Sequence, residues 1–166
     1  MSYGSALEDA GLEPAASGSI VVGHDGSDGA GFALTTALEF ADQLHAPVVM
    51  VRAWSIATAP RPPSWEFGYV PPFGDVSRAV RDQLVKDVAA LVEPFPAVDV
   101  EYRAVHAGPA KSLIEISRGA RMLAVGSRGL GGLAVMVLGS VSDQCVRHAA
   151  CPVLVVRPGP TQPRPA

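Results

Sequence analysis

The sequence predicts an α/β fold: an open, doubly wound parallel sheet of five strands with helices on both faces. Three observations carry this expectation. Short apolar runs alternate with segments of helical period along the chain, strand then helix, which is the pattern of a parallel sheet covered by its crossover helices. The run at 48–54 is apolar on both faces apart from Arg52, as a strand sandwiched between helix layers requires. The run ending in Leu123-Ala124-Val125 breaks into glycines and restarts as a helix at Ser140. At 166 residues the chain is long enough for one domain and short for two, and its 48% apolar content supplies a core.

The elements follow in order. Residues 1–18 mix Gly, Ala, Ser and acidic side chains without a sustained period, and are expected to be a disordered tail. Residues 20–25 form a short apolar strand that ends in turn residues. Ser27 or Asp28 caps a helix reaching about Ala46, with Leu34, Leu38, Ala41 and Leu44 at helical spacing and Pro47 as its stop. The second strand is 48–54. Residues 55–74 are rich in proline and form a long loop, in which Trp65, Phe67, Tyr69 and Phe73 either cover a ligand or a neighbouring subunit, or simply sit on the surface. A helix at 75–93 carries the stripe Val76, Val80, Leu84, Val88 and Leu91. The third strand is 98–105, where Val98, Val100, Tyr102 and Ala104 alternate with their neighbours. Pro109 opens the next helix at a position that tolerates proline, and Gly119 ends it. The fourth strand is 122–125, the last helix 140–149, and the fifth strand 152–157. Residues 158–166 hold four prolines and are expected to be disordered. The domain proper is thus 19–157.

Bulk properties narrow the function. A net charge of −3 with 13 Lys and Arg, and no basic run, gives no sign of a nucleic-acid or membrane partner. Cys145 and Cys151 are six apart, which fits neither a redox pair nor a zinc knuckle; both are expected as buried thiols of a reducing compartment. His45, His106 and His148 show no metal spacing. Neither a signal peptide nor an 18-residue apolar segment is visible, so the cytoplasm is the expected location.

The glycine segment carries the chemistry. It reads Gly126-x2-Gly129-x9-Gly139-Ser140. Glycines let backbone N–H groups approach a ligand, and the helix that follows adds unpaired N–H groups and the positive end of its dipole, about half an elementary charge. The hydroxyls of Ser140 and Ser142 sit at the same end. The plainer alternative is a glycine turn before a capped helix, with Ser140 and Asp143 as a capping box.

The same spacing matches, without gaps, the nucleotide-binding signature of universal stress proteins of the ATP-binding type. Ile20-Val21-Val22-Gly23-His24-Asp25 resembles that family's first strand with its Asp, and Cys151-Pro152-Val153-Leu154-Val155-Val156 its last strand. The resemblance covers residues 19–157. It implies strand order 3-2-1-4-5 in a Rossmann-like sheet of the adenine nucleotide alpha hydrolase-like kind, with a crevice where the order reverses. It also implies a nucleotide site at Gly23, Asp25, Ala53, Gly126, Arg128, Gly129, Gly139, Ser140, Val141 and Ser142. The loop and the start of the helix would donate to phosphates. Asp25 would take the ribose hydroxyls or a Mg²⁺ ion, since a bare carboxylate repels phosphate. Ala53, at the end of the second strand, would read the adenine edge.

The resemblance further implies a cytoplasmic homodimer paired through Val153–Val156, an edge strand whose open groups invite another chain. The expected function is that of an ATP-binding, nucleotide-dependent stress-response protein with little or no ATPase activity. No Walker lysine follows the glycines and no evident base is placed to activate water. The alternatives are a slow ATP hydrolase or nucleotidyl transferase on the same fold, or a module for another adenine nucleotide such as cyclic AMP. One departure stands out: His24 occupies a position that is usually apolar. His24, Asp25 and Ser27 together suggest a catalytic triad, but residues so close in sequence rarely reach that geometry.

Overall fold

The computed structural model describes residues 11–60, 71–128 and 138–158. Five strands alternate with four helices: β1 (Ile20–Gly23), α1 (Asp28–Leu44), β2 (Val48–Ala53), α2 (Phe73–Val92), β3 (Val100–Val105), α3 (Pro109–Ile116), β4 (Met122–Gly126), α4 (Ser140–His148) and β5 (Val153–Val156). All strand pairs are parallel and the order is β3-β2-β1-β4-β5, as expected. Ile20 lies between Val48 and Met122, which fixes the register at the centre of the sheet.

Strand alternation explains the two cores. Ile20 and Val22 point to one face, where they meet Leu34 and Leu38 of α1 and Leu84 and Val88 of α2. Val21 points to the other, where it meets Leu113 and Ile116 of α3 and Cys145 of α4. Both faces of the central strands are therefore buried, which is why their sequences show no polar alternation.

Several boundaries differ from expectation, each for a local reason. Helix α1 stops at Leu44 because His45 takes a left-handed conformation (φ 52°) and donates its N–H back to Ala41 and Asp42 carbonyls. Leu44 is consequently exposed and does not extend the buried stripe. Helix α2 begins at Phe73, one residue past Pro72, so the irregular stretch is shorter than 55–74. Trp65, Phe67 and Tyr69 lie outside the described residues. Strand β3 begins at Val100, because the Val98 N–H is turned back to the Phe95 carbonyl.

The expected disordered tail is corrected from residue 11 onward. Leu12 and Ala15 are buried in the core between the sheet, α3 and α4. The Ala15 N–H donates to the Ile116 carbonyl at 2.8 Å, and Arg103 Nη1 donates to the Glu13 carbonyl at 2.6 Å. Two isolated apolar anchors hold the segment, too few to create a period in the sequence. Residues 1–10 and 159–166 lie outside the described residues. Among the described residues, no helix is long and apolar enough to cross a membrane.

Candidate functional site

The sheet order reverses at β1, whose neighbours β2 and β4 connect in opposite directions. A crevice must open above the C-terminal ends of β1 and β4, because their following helices leave to opposite faces. A cleft of about 830 Å³ occupies that place.

The turn between β1 and α1 makes one wall. Gly26 adopts φ +89°, a conformation that glycine takes without strain, and this lets the chain double back. Asp25 Oδ1 accepts the Ser27 N–H at 3.0 Å and the Ser27 hydroxyl at 2.5 Å. Ser27 Oγ in turn accepts the Ala30 N–H at 3.2 Å and caps α1, so the first of the two expected caps is used. Asp25 is thus anchored at the cleft rim by its own turn.

Beneath the turn lies a polar network that joins three elements. Arg52, near the end of β2, donates from Nε to the His24 carbonyl at 3.1 Å and from Nη1 to Asp87 of α2 at 2.7 Å. Its Nη2 lies 2.8 Å from His24 Nδ1, which also accepts the Gly26 N–H at 3.2 Å. Gln83 donates to the other oxygen of Asp87. Burial, with the Arg52 guanidinium alongside, holds the His24 imidazole down to about 4. For Asp87, burial opposes ionisation, but the hydrogen bonds from Arg52 and Gln83 outweigh it and hold the carboxyl below its ordinary value. No triad forms: His24 Nδ1 is occupied by Gly26 and Arg52, and the Ser27 hydroxyl is directed to Asp25.

The opposite wall is built by the end of β4 and the start of α4. Gly126 is needed here for packing. A Cβ on it would stand 2.9 Å from the carbonyl carbon and oxygen of Gly29, and one on Gly29 would stand 2.8 Å from the Arg128 carbonyl oxygen. The two glycines let the first turn of α1 lie directly against the strand end. The Ser127 carbonyl then organises the next segment, accepting the Gly139 N–H at 2.7 Å and the Ser142 hydroxyl at 3.2 Å.

Two expectations are corrected at this wall. The Gly139 N–H and the Ser142 hydroxyl point inward and are not free for a ligand; Ser142 is buried because its side chain closes the turn. The Ser140–Asp143 capping box is also absent. Gly139 is the N-cap and has no side chain to offer, while Asp143 pairs with Arg147 one turn later. The Asp143 N–H starts the helical ladder by donating to the Gly139 carbonyl. The N–H groups of Ser140, Val141 and Ser142 precede that ladder and have no hydrogen-bond partner among the described residues. Ser140 is exposed and Val141 half-buried, while Cys145 is buried and Val146 faces solvent.

At the far end, beyond β2 and β3, Trp54 is buried with its Nε1–H on the Ser77 hydroxyl at 3.0 Å. His106 stacks on Phe73 (centroids 4.8 Å apart) and meets Trp54 at a tilt of 39° (4.4 Å), while Trp54 and Phe73 are themselves 5.9 Å apart, so the three rings form a triangle. Trp54 and His106 close the cleft on that side.

Gly23, Asp25, Ala53, Gly126, Arg128, Gly139, Ser140, Val141 and Ser142 all line this one cleft, although a hundred residues separate its two walls. Gly129 lies outside the described residues. His24, Arg52, Trp54, Gln83 and His106 line it too and were not among the expected site residues. Arg52 had a signal in the sequence, as the lone charge in an apolar strand; Gln83 and His106 had none. Among the described residues, no three His, Cys, Asp or Glu side chains converge as a metal site.

Comparisons with known proteins agree with this geometry. The sequence profile of the Universal stress protein family matches residues 17–157. Universal stress protein Rv2005c of Mycobacterium tuberculosis is 34% identical over 138 residues, covering 83% of this chain and 45% of that protein. A universal stress protein of Mycolicibacterium smegmatis is 32% identical over 143 residues, 84% of this chain and 45% of its own length. The chain therefore spans about half the length of these relatives. Among solved structures, universal stress protein UspA from Lactobacillus plantarum superposes with a TM-score of 0.68 at 20% identity, over 84% of this chain and 97% of that one. A universal stress protein in complex with cAMP superposes with a TM-score of 0.58 at 27% identity, over 86% and 98%. On the profile match, the sequence relatives and the sheet order together, the chain belongs to the universal stress protein family.

Proposed function

We propose that this chain is a nucleotide-dependent regulatory protein of the stress response that holds ATP in the cleft and turns it over slowly or not at all. The observation that carries this reading is the convergence of the Asp25 turn and the start of α4 on one cleft of about 830 Å³, a volume within the roughly 300–1,000 Å³ of small-molecule sites. The cAMP complex of the relative at 27% identity supports an adenine nucleotide. A triphosphate suits the donors better than a cyclic monophosphate does: the N–H groups of Ser140, Val141 and Ser142, the Ser140 hydroxyl and the Arg128 charge all lie at one end. Ala53, at the end of β2, would meet the base. Asp25 would meet the ribose hydroxyls or, with the phosphates, hold a Mg²⁺ ion that neutralises their charge.

Slow turnover fits the commitments of the nearby side chains, since His24 Nδ1 and Asp25 Oδ1 are already engaged within their own turn. The setting we propose is a cytoplasmic homodimer joined through β5.

The test begins with mass spectrometry of the denatured, purified protein, which should release an adenine nucleotide. Calorimetry then compares ATP binding before and after Gly139→Val. The backbone at Gly139 (φ −71°, ψ 165°) lies in a region that valine adopts without strain. The branched side chain should still lower ATP affinity tenfold or more, about 1.4 kcal/mol per decade. Unchanged affinity in a folded variant removes the proposed phosphate site.

A further inference from the structure

One polar group in the cleft has no role in the binding mode proposed above. His24 is 6% exposed and lines the cleft. Two donors converge on its Nδ1, the Gly26 N–H and Arg52 Nη2. A guanidinium offers no lone pair and keeps its protons, so Nδ1 must be the accepting nitrogen. The ring hydrogen therefore sits on Nε2. That atom has no hydrogen-bond partner among the described residues. Among the described residues, Ser19 Oγ is the one buried side-chain polar atom found both enclosed and unpartnered, and His24 Nε2 is not another. The cavity that His24 lines is the cleft. The ring cannot swing away without setting two donors against carbon, and Arg52 is itself braced by the His24 carbonyl and Asp87.

The structure thus holds a nearly buried, neutral N–H donor on a residue that lines the site. Its place along the cleft identifies its target. The His24 backbone N–H donates to the Val51 carbonyl, which puts the ring beside the end of β2, on the base side. Asp25, one residue on, lies toward the ribose, and the donors of α4 lie across the cleft. We infer that His24 is a specificity-determining residue whose Nε2–H donates to a ring nitrogen of the purine, N3 or N7, leaving the N1 and amino edge to the backbone at Ala53. This inference rests on the nucleotide reading. It adds a side-chain reader of the base, one that requires an acceptor and rejects a C–H at that ring position.

The test is a chemical double-mutant cycle. ATP, 3-deaza-ATP and 7-deaza-ATP are titrated calorimetrically into the unaltered protein and into His24→Phe. One analogue should bind the unaltered protein about tenfold more weakly than ATP, because it leaves a nearly buried donor unpaired. His24→Phe should bind ATP and that analogue equally. The His24 Nε2 ¹⁵N resonance should shift on adding ATP and not on adding that analogue. The analogue titrations and the resonance use the unaltered chain, so they decide the matter even if His24→Phe misfolds. Equal binding of all three nucleotides to the unaltered protein, or the same analogue loss in a folded His24→Phe, overturns the inference and leaves the nucleotide reading standing. A protein that binds no ATP at all overturns both.

Discussion

Gly126→Ala separates a glycine required by a ligand from one required by the fold. The added Cβ would stand 2.9 Å from the carbonyl carbon and oxygen of Gly29 and 3.3 Å from the Ala30 nitrogen. These are backbone atoms in the first turn of α1, so no side chain can rotate out of the way. Restoring an ordinary contact of about 3.4 Å or more means lifting the start of α1 from β4 by about half an ångström, against the packed Leu34 and Leu38. Overpacking of this kind costs about 1–3 kcal/mol. For a chain of this size each kcal/mol lowers Tm by about 2–4 °C, so the variant should melt roughly 2–12 °C lower. Thermal melts without nucleotide, at fixed protein concentration, read this directly. Gly74→Ala is the control: nothing among the described residues lies within 4 Å of an added Cβ, and in the first turn of α2 it should leave Tm unchanged or raise it. A Gly126→Ala protein that melts within a degree of the unaltered one, yet binds ATP more weakly, would show that this glycine serves the ligand and would refute the packing argument.

Two further predictions concern pH and assembly. The imidazole of unfolded His24 takes a proton below about 6.5, whereas the folded one resists until about 4, so acidification across that window protonates only the unfolded chain. The His24 contribution to stability in urea should therefore fall between pH 6.5 and 4, by on the order of 3 kcal/mol at about 1.4 per pH unit, and saturate below, where protonation of Asp87 takes over the decline. His24→Phe should flatten that slope, and an unchanged slope would place the titrating group elsewhere. At the sheet edge, the Leu123 and Ser127 N–H groups donate to the Pro152 and Val156 carbonyls. By alternation Leu154 and Val156 bond to β4, while Val153 and Val155 turn their backbone groups outward. Light scattering should find a dimer at micromolar concentration, and Val155→Pro, which removes one outward donor, should make it a monomer with its circular dichroism intact. A monomeric unaltered protein, or a folded Val155→Pro dimer, refutes pairing through this edge.

The strands and helices were legible because local apolar period and burial agree: Val21 and Val22 are both buried, on opposite faces, and read as one apolar run. The two walls of the cleft were legible because each is a continuous stretch, the Asp25 turn and the glycine segment. Their convergence came from the family resemblance, since periodicity does not order strands. Side-chain direction was not legible. Nothing in the letters of Ser140 and Ser142 says that one hydroxyl faces solvent and the other closes onto the Ser127 carbonyl. The His24–Arg52–Asp87 network was hidden for a different reason: its members stand 28 and 35 residues apart and meet only once β1, β2 and α2 are side by side.

The segment 11–19 ties the cleft to the opposite end of the molecule. Its Ala15 amide satisfies the Ile116 carbonyl, one of the four that the last turn of α3 leaves without a helical partner. Helix α3 has only eight residues, and its other end, at Gly108 and Pro109, is a wall of the cleft. Only about two turns separate its two ends. Detaching the segment would thus loosen the ligand's wall from behind, and a ligand packed against Gly108 and Pro109 would protect the Ala15 amide from hydrogen exchange, although the two never touch. Residues that precede the first strand are in this sense a remote brace of the cleft.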